Sequence, residues 1–189
     1  LAKPTARRLR RSWPAWRRQH PGSSREIVAI VDSLSERFRP LHPKLALSGH
    51  SGGGSFLFGY IDGVQDIPPQ VERIAWLDAV YGYEDSLHGE KLLRWLRNGE
   101  NHSLAVFAYN DSVALLNGKP FVSATGGTWH RSRLMQERLA RDFSFSRTRR
   151  GPTRMERGLQ GRIQFFLTEN PERTILHTVL VERNGFIHA

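Results

Sequence analysis

A glycine-flanked serine is the feature of this sequence with the clearest chemical potential. Gly49-His50-Ser51-Gly52-Gly53 fits the pattern G-x-S-x-G and lies between a short apolar run and an apolar stretch. In this pattern a strand turns sharply into a helix, and glycines two residues before and after the serine allow the two to approach. The helix N-terminus behind the serine favours negative charge there. The pattern therefore predicts a nucleophilic serine. A phosphate-binding loop is disfavoured, because the lysine of the nucleotide-binding pattern is absent.

Two aspartates compete to be the acid of a catalytic triad. A serine hydroxyl needs a base, and the base needs an orienting carboxylate. Asp111 follows a predicted strand at 103–109, whereas Asp78 lies at the end of a predicted strand at 73–80. The order Ser51, Asp111, His177 supplies serine, acid and base. The alternatives stay open: Asp111 as a turn residue that bonds its own backbone, or Asp78 as the acid.

The base is expected at His177, which follows a predicted strand at 162–167, with His188 as the alternative. If 177–188 forms one helix, only its first residue lies near the strand ends, which favours His177. Two other histidines precede predicted strands and fall at the opposite edge of the sheet: His42 and His102.

No cofactor and no metal is implied by the sequence. Cysteine is absent, which removes thiolate ligands and disulfides. His88 and His130 form no pattern with carboxylates that suggests a metal site.

Strands and helices alternate along the chain. Ser23 and Glu26 have capping-box spacing, and apolar residues at helical intervals then predict a helix over 24–38. The other predicted elements are strands at 45–48, 73–80, 103–109 and 162–167 and helices at 55–63, 86–97, 131–141 and 177–188. This alternation predicts an α/β fold with a mainly parallel sheet covered on both faces, in three α/β/α layers. Ligands bind at the carboxyl ends of such strands.

The serine motif, the alternation and the triad order together resemble the C-terminal part of the α/β-hydrolase superfamily, over roughly residues 24–189. In that family the acid usually follows the second strand after the serine's strand, which implies Asp111. Some members take it from the strand immediately after, which implies Asp78. The histidine follows the next strand, which implies His177, and the N–H of Gly52 would bind the oxyanion.

The chain departs from that family upstream of the serine. Only 44 residues precede the predicted strand at 45–48, so the first strands of the family's sheet and the second oxyanion donor are missing. One missing donor costs about 10²–10³ in rate, roughly 3 kcal/mol. Lost upstream residues, a second chain that completes the sheet, or a reduced variant of the fold would each explain this. The first residue, Leu1 rather than Met, favours lost residues.

The formal charge of +10 is concentrated in two segments. Residues 1–20 carry seven cations and no acid, and residues 128–162 carry ten arginines against three acids. We expect a basic arm at 1–22 and a domain over 23–189 with a lid-like insertion at 117–160. Arginines of this kind attract an anionic substrate, a membrane surface or nucleic acid, or simply form a solvated surface.

The sequence as a whole predicts a serine hydrolase that cleaves an ester of a small molecule through an acyl-enzyme. A serine peptidase or amidase is the nearest alternative, and a non-catalytic basic binding protein is the alternative from another class. Nucleic acid is disfavoured as a partner because no recognised binding motif is present. No signal peptide and no apolar run of bilayer length is seen, and no compartment is indicated.

Overall fold

The computed structural model describes residues 12–120, 122–123 and 125–182. Its helices are α1 (Trp13–Gln19), α2 (Ser23–Arg37), α3 (Gly53–Gly63), α4 (Glu90–Asn98), α5 (Thr128–Leu139) and α6 (Val179–Glu182). Its strands are β1 (Leu45–His50), β2 (Val71–Leu77), β3 (Ser103–Tyr109), β4 (Leu115–Leu116), β5 (Lys119–Pro120), β6 (Phe145–Arg150), β7 (Thr153–Gly158) and β8 (Ile163–Thr168). None of the described helices is long and apolar enough to cross a membrane.

Six of the strands form one mostly parallel sheet in the order β1-β2-β3-β8-β7-β6. The pairs β1/β2, β2/β3 and β3/β8 are parallel, and β8/β7 and β7/β6 are antiparallel. The prediction of a mixed α/β fold with a mainly parallel sheet is confirmed. Because the first four strands of this order run in the same direction, their carboxyl ends meet at one edge of the sheet.

The helices α1 to α5 pack on one face of the sheet. Alternate strand residues such as Ile74, Trp76 and Val106 face this side and join the main core with helical residues such as Ile27 and Leu92. A smaller cluster lies on the other face and consists of Ala75, Leu77 and Phe107, with Ala105 and Phe166 beside it. The sequence analysis expected helices on both faces. Among the described residues, α1 to α5 cover one face, and the other face carries only the smaller cluster and the chain after β8.

The chain after β8 reaches the second face of the sheet. Leu176 and Val179 line a pocket of about 520 Å³ together with Phe107 and Tyr109. This return carries His177 back toward the carboxyl ends of the parallel strands. His188 and the rest of the predicted helix beyond residue 182 lie outside the described residues.

The described residues of 117–160, the segment of the expected insertion, contribute two strands to the sheet and one helix to the main core. The hairpin β6–β7 extends the sheet beyond β8, with Phe145 opposite Gly158 and Arg150 opposite Thr153. Helix α5 packs through Met135 and Leu139 into the main core. The segment therefore extends the sheet by two strands and adds a helix to the layer that covers it.

Part of the predicted basic arm is a helix fixed to the domain. The guanidinium of Arg17 on α1 lies 2.7 Å from the carboxylate of Asp62 on α3 and donates to the carbonyl of Ser55 at 2.8 Å. The same Asp62 accepts from His88 Nε2 at 2.9 Å. Residues 1–11 of the arm lie outside the described residues.

Candidate active site

The serine of the G-x-S-x-G motif occupies the turn between β1 and α3. Ser51 has φ of 54°, in the left-handed region that residues other than glycine rarely adopt. Its carbonyl accepts from the N–H of Gly54 at 3.0 Å, which starts the helix directly behind it. Ser51 is half-buried. The turn thus has the strained strand-to-helix geometry expected for a nucleophile.

Close packing around this turn requires glycine at two positions. A Cβ on Gly49 would lie 2.9 Å from the carbonyl carbon and oxygen of Gly53, and a Cβ on Gly54 would overlap the carbonyl oxygen of Ala79. A Cβ on Gly53 would meet nothing within 4 Å. The motif predicts that glycine is required two residues after the serine, at Gly53. In the structure the position that requires glycine is Gly54, one residue later.

His177 is held beside this turn by two contacts. Its Nδ1 lies 2.5 Å from Oδ2 of Asp78, and its carbonyl oxygen lies 2.7 Å from Nε2 of His50, the residue before the serine. The two imidazole rings are 4.6 Å apart. Because a carboxylate only accepts, Nδ1 of His177 donates, and its Nε2 is left with a lone pair. That is the tautomer a general base needs.

Asp78 is a buried carboxylate at the carboxyl end of β2. It is 1% exposed and has φ of 46°, and its N–H donates to the carbonyl of Phe107 at 2.7 Å. One of its carboxylate oxygens accepts from His177 and the other from the hydroxyl of Thr128. The structure thus pairs His177 with the alternative acid of the sequence analysis.

Asp111 has a different set of partners from the one expected. Its carboxylate accepts the N–H of Thr128 at 2.7 Å and the N–H of Trp129 at 3.4 Å, so it caps the N-terminus of α5. Burial raises the pKa of Asp111, the N–H of Thr128 opposes this, and the charge of Asp78 raises it further. The predicted order of residues did not distinguish this helix cap from an acid that orients histidine.

The hydroxyl of Ser51 and the N–H of Gly52 are not engaged in hydrogen bonds with any residue that the structure describes. Catalytic hydrogen bonds are often long before substrate binds. The first turn of α1 lies against Gly52, since a Cβ there would be 3.3 Å from Cδ of Pro14.

Sequence reasoning missed two residues of this cluster, Thr128 and Tyr81. The hydroxyl of Tyr81 lies 3.4 Å from Nδ1 of His177, and burial raises the pKa of this phenol, as do the charges of Asp78 and Asp111. Gly127, which precedes Thr128, lies against the Asp111 carboxylate, because a Cβ there would overlap it.

Two buried histidines elsewhere have structural partners. His102 stacks on Trp95 and contacts the carbonyl oxygens of Trp95 and Pro69, and His88 bonds Asp62. Within the described residues, no three histidine or acidic side chains cluster in a way that could hold a metal ion.

Comparison of the chain with protein-family models, curated proteins and solved structures finds no match in any of the three.

Proposed function

We propose that the protein is a serine hydrolase in which Ser51 is the nucleophile, His177 the base and Asp78 the acid that orients it. The observation that carries the proposal is the bond between His177 and Asp78 beside a serine in the left-handed region. A structural histidine would explain that bond alone. It would not explain the strained, glycine-packed serine turn next to it.

The fold supports the same proposal and a likeness to α/β-hydrolases. Ser51 follows β1, Asp78 follows β2, and His177 follows the chain's return from β8. These strands are parallel members of one sheet, and their carboxyl ends share an edge. In this proposal β1 is the nucleophile strand, the third strand in order carries the helix cap Asp111, and Asp78 replaces it as the acid.

The reaction follows from the positions of the donors and acceptors. Ser51 Oγ attacks the carbonyl carbon of an ester while Nε2 of His177 takes its proton and passes it to the leaving alcohol. The N–H of Gly52 stabilises the oxyanion of the tetrahedral intermediate. Water, deprotonated by the same Nε2, then attacks the acyl-enzyme, releasing the carboxylic acid and restoring Ser51. Asp78 holds the imidazole and stabilises its cation throughout. Esters are the first choice of substrate and amides the second.

A fluorophosphonate probe tests the proposal, with the adduct located by mass spectrometry. We expect labelling at Ser51, none in Ser51→Ala, and a rate about 10²–10⁴-fold lower in His177→Ala. Ser48→Ala, at an exposed serine on β1, is the matched control and should label like the parent. Asp78→Asn should slow labelling far more than Asp111→Asn. If the protein is folded and Ser51 is not labelled, the hydrolase proposal is refuted and the basic binding protein is favoured.

A further inference from the structure

We infer that Thr128 is a positioning residue that holds Asp78 in the orientation His177 requires, and that Asp111 in turn holds Thr128. This inference rests on the proposed function for its catalytic meaning. The hydrogen-bonded chain itself runs from Asp111 through Thr128 and Asp78 to His177.

The first step is that Asp78 needs a second anchor. A carboxylate bonded only through Oδ2 can rotate about its Cβ–Cγ bond, because that torsion has broad minima. The hydroxyl of Thr128 donates to Oδ1, which fixes the plane of the carboxylate and leaves Oδ2 for the imidazole. Asp78 is 1% exposed and Thr128 is fully buried, so this hydroxyl provides a hydrogen bond at a site removed from solvent.

The second step is that Thr128 is fixed by its backbone. Its N–H donates to Asp111 at 2.7 Å, and Gly127 lies so close to that carboxylate that no side chain fits. The Thr128 hydroxyl has one hydrogen and lies 3.3 Å from Asp111, farther than from Asp78. Its hydrogen is therefore assigned to Asp78. The N-terminus of α5, a helix of 12 residues, also presents its positive end to both carboxylates.

The groups that surround the chain come from four segments. They are Asp78 and Tyr81 after β2, Tyr109 and Asp111 at the end of β3, Thr128 on α5 and His177 after β8. Among the described residues, no arginine or lysine forms a hydrogen bond or ion pair with either carboxylate. Their partners are the N-terminus of α5, the hydroxyl of Thr128 and the imidazole of His177.

The test deletes the hydroxyl in two ways, Thr128→Val and Thr128→Ala, and restores it in Thr128→Ser. The first readout is the far-downfield Nδ1–H proton resonance of His177, which reports the bond to Asp78 and needs no turnover. The second is the rate of Ser51 labelling. We expect both deletions to weaken the resonance and slow labelling at least about tenfold, equivalent to about 1.4 kcal/mol, and serine to recover both.

Ser132→Ala is the matched control. Ser132 is a fully buried hydroxyl one turn further along α5 that has no hydrogen-bond partner in the described structure. This variant should leave the resonance and the labelling rate unchanged. A resonance insensitive to Thr128→Val and Thr128→Ala in folded protein would overturn the inference. A resonance that changes in the two deletions while parent Ser51 stays unlabelled would support the chain of contacts and refute the hydrolase.

Discussion

At the scale of single residues, the two glycines that open α3 differ in what surrounds them. Gly54→Ala should destabilise the protein by about 1–3 kcal/mol or more, because the added Cβ overlaps a backbone oxygen that cannot move aside like a side chain. Gly53→Ala, the matched control, should be neutral or slightly stabilising, because its Cβ meets nothing and alanine favours the helix. Denaturant unfolding measures both, and equal stability of the two variants would contradict the packing described.

Asp111 should leave a signature in the dependence of stability on pH. Its pKa is raised in the folded protein, mainly by burial, so the folded state binds this proton more tightly than the unfolded chain. Its contribution is therefore fully present below the unfolded pKa of about 3.9 and declines as pH rises through the folded value. We expect the unfolding free energy of the parent minus that of Asp111→Asn to fall from pH 4 to pH 7. A difference that grows over that range would contradict the burial of this carboxylate.

Residue order in the sequence could predict the serine turn and His177 as candidates but could not choose between the acids. Asp78 and Asp111 both follow strands whose carboxyl ends lie at the same edge of the sheet. Which aspartate pairs with His177 depends on α5. The first N–H of this helix donates to Asp111, and the hydroxyl of its Thr128 donates to Asp78. The contact between Thr128 and Asp78 joins residues 50 positions apart, and no local sequence pattern predicts it.

At the scale of elements, α2 carries one buried and one exposed apolar stripe. Ile27 is 0% exposed and packs against α3, whereas Ile30 is 43% exposed and shares the outer side with Leu34 and Phe38. Ile27→Ala should cost about 2–5 kcal/mol of unfolding free energy. Ile30→Ala, the same substitution one turn along, should cost about 1 kcal/mol or less. Equal losses in a urea titration would show that the outer stripe is covered in solution.

Periodicity predicted the elements with an apolar side and missed those without one. The predicted helix at 24–38 corresponds to α2, and the four predicted apolar strands correspond to the four parallel ones. The strands β6 and β7 were not predicted, because their five arginines interrupt any alternation of apolar residues. Backbone pairing of β7 with β8 and of β6 with β7 holds them in the sheet. Glu156 on β7, a buried carboxylate, adds ion pairs with Arg154 at 2.8 Å and with Arg147 at 3.3 Å. Sheet membership of this kind depends on neighbours that only the fold supplies.

At the scale of the whole molecule, several arginines pair with acids on other elements. Arg17 on α1 lies 2.7 Å from Asp62 on α3, and Arg138 on α5 lies 3.1 Å from Glu90 on α4. Arg97 on α4 lies 2.7 Å from Asp142, which follows α5. The composition predicted a basic surface, and it could not reveal that several of these cations join elements distant in sequence. These ion pairs therefore also help to hold the elements of the fold together.

The position of β8 has a consequence for the order in which the molecule forms. This strand pairs on one side with its sequence neighbour β7 and on the other with distant β3, where Leu104 meets Ile163. Closing the long loop costs more entropy than closing the hairpin, so the local pairs should form first. In pulsed hydrogen exchange during refolding, we expect amides of β6 and β7 to gain protection before those between β3 and β8, and simultaneous or reversed protection would contradict this. His177 follows β8, so its contact with Asp78 would form late in folding. Newly made chains would therefore acquire local strand pairing before histidine and carboxylate meet.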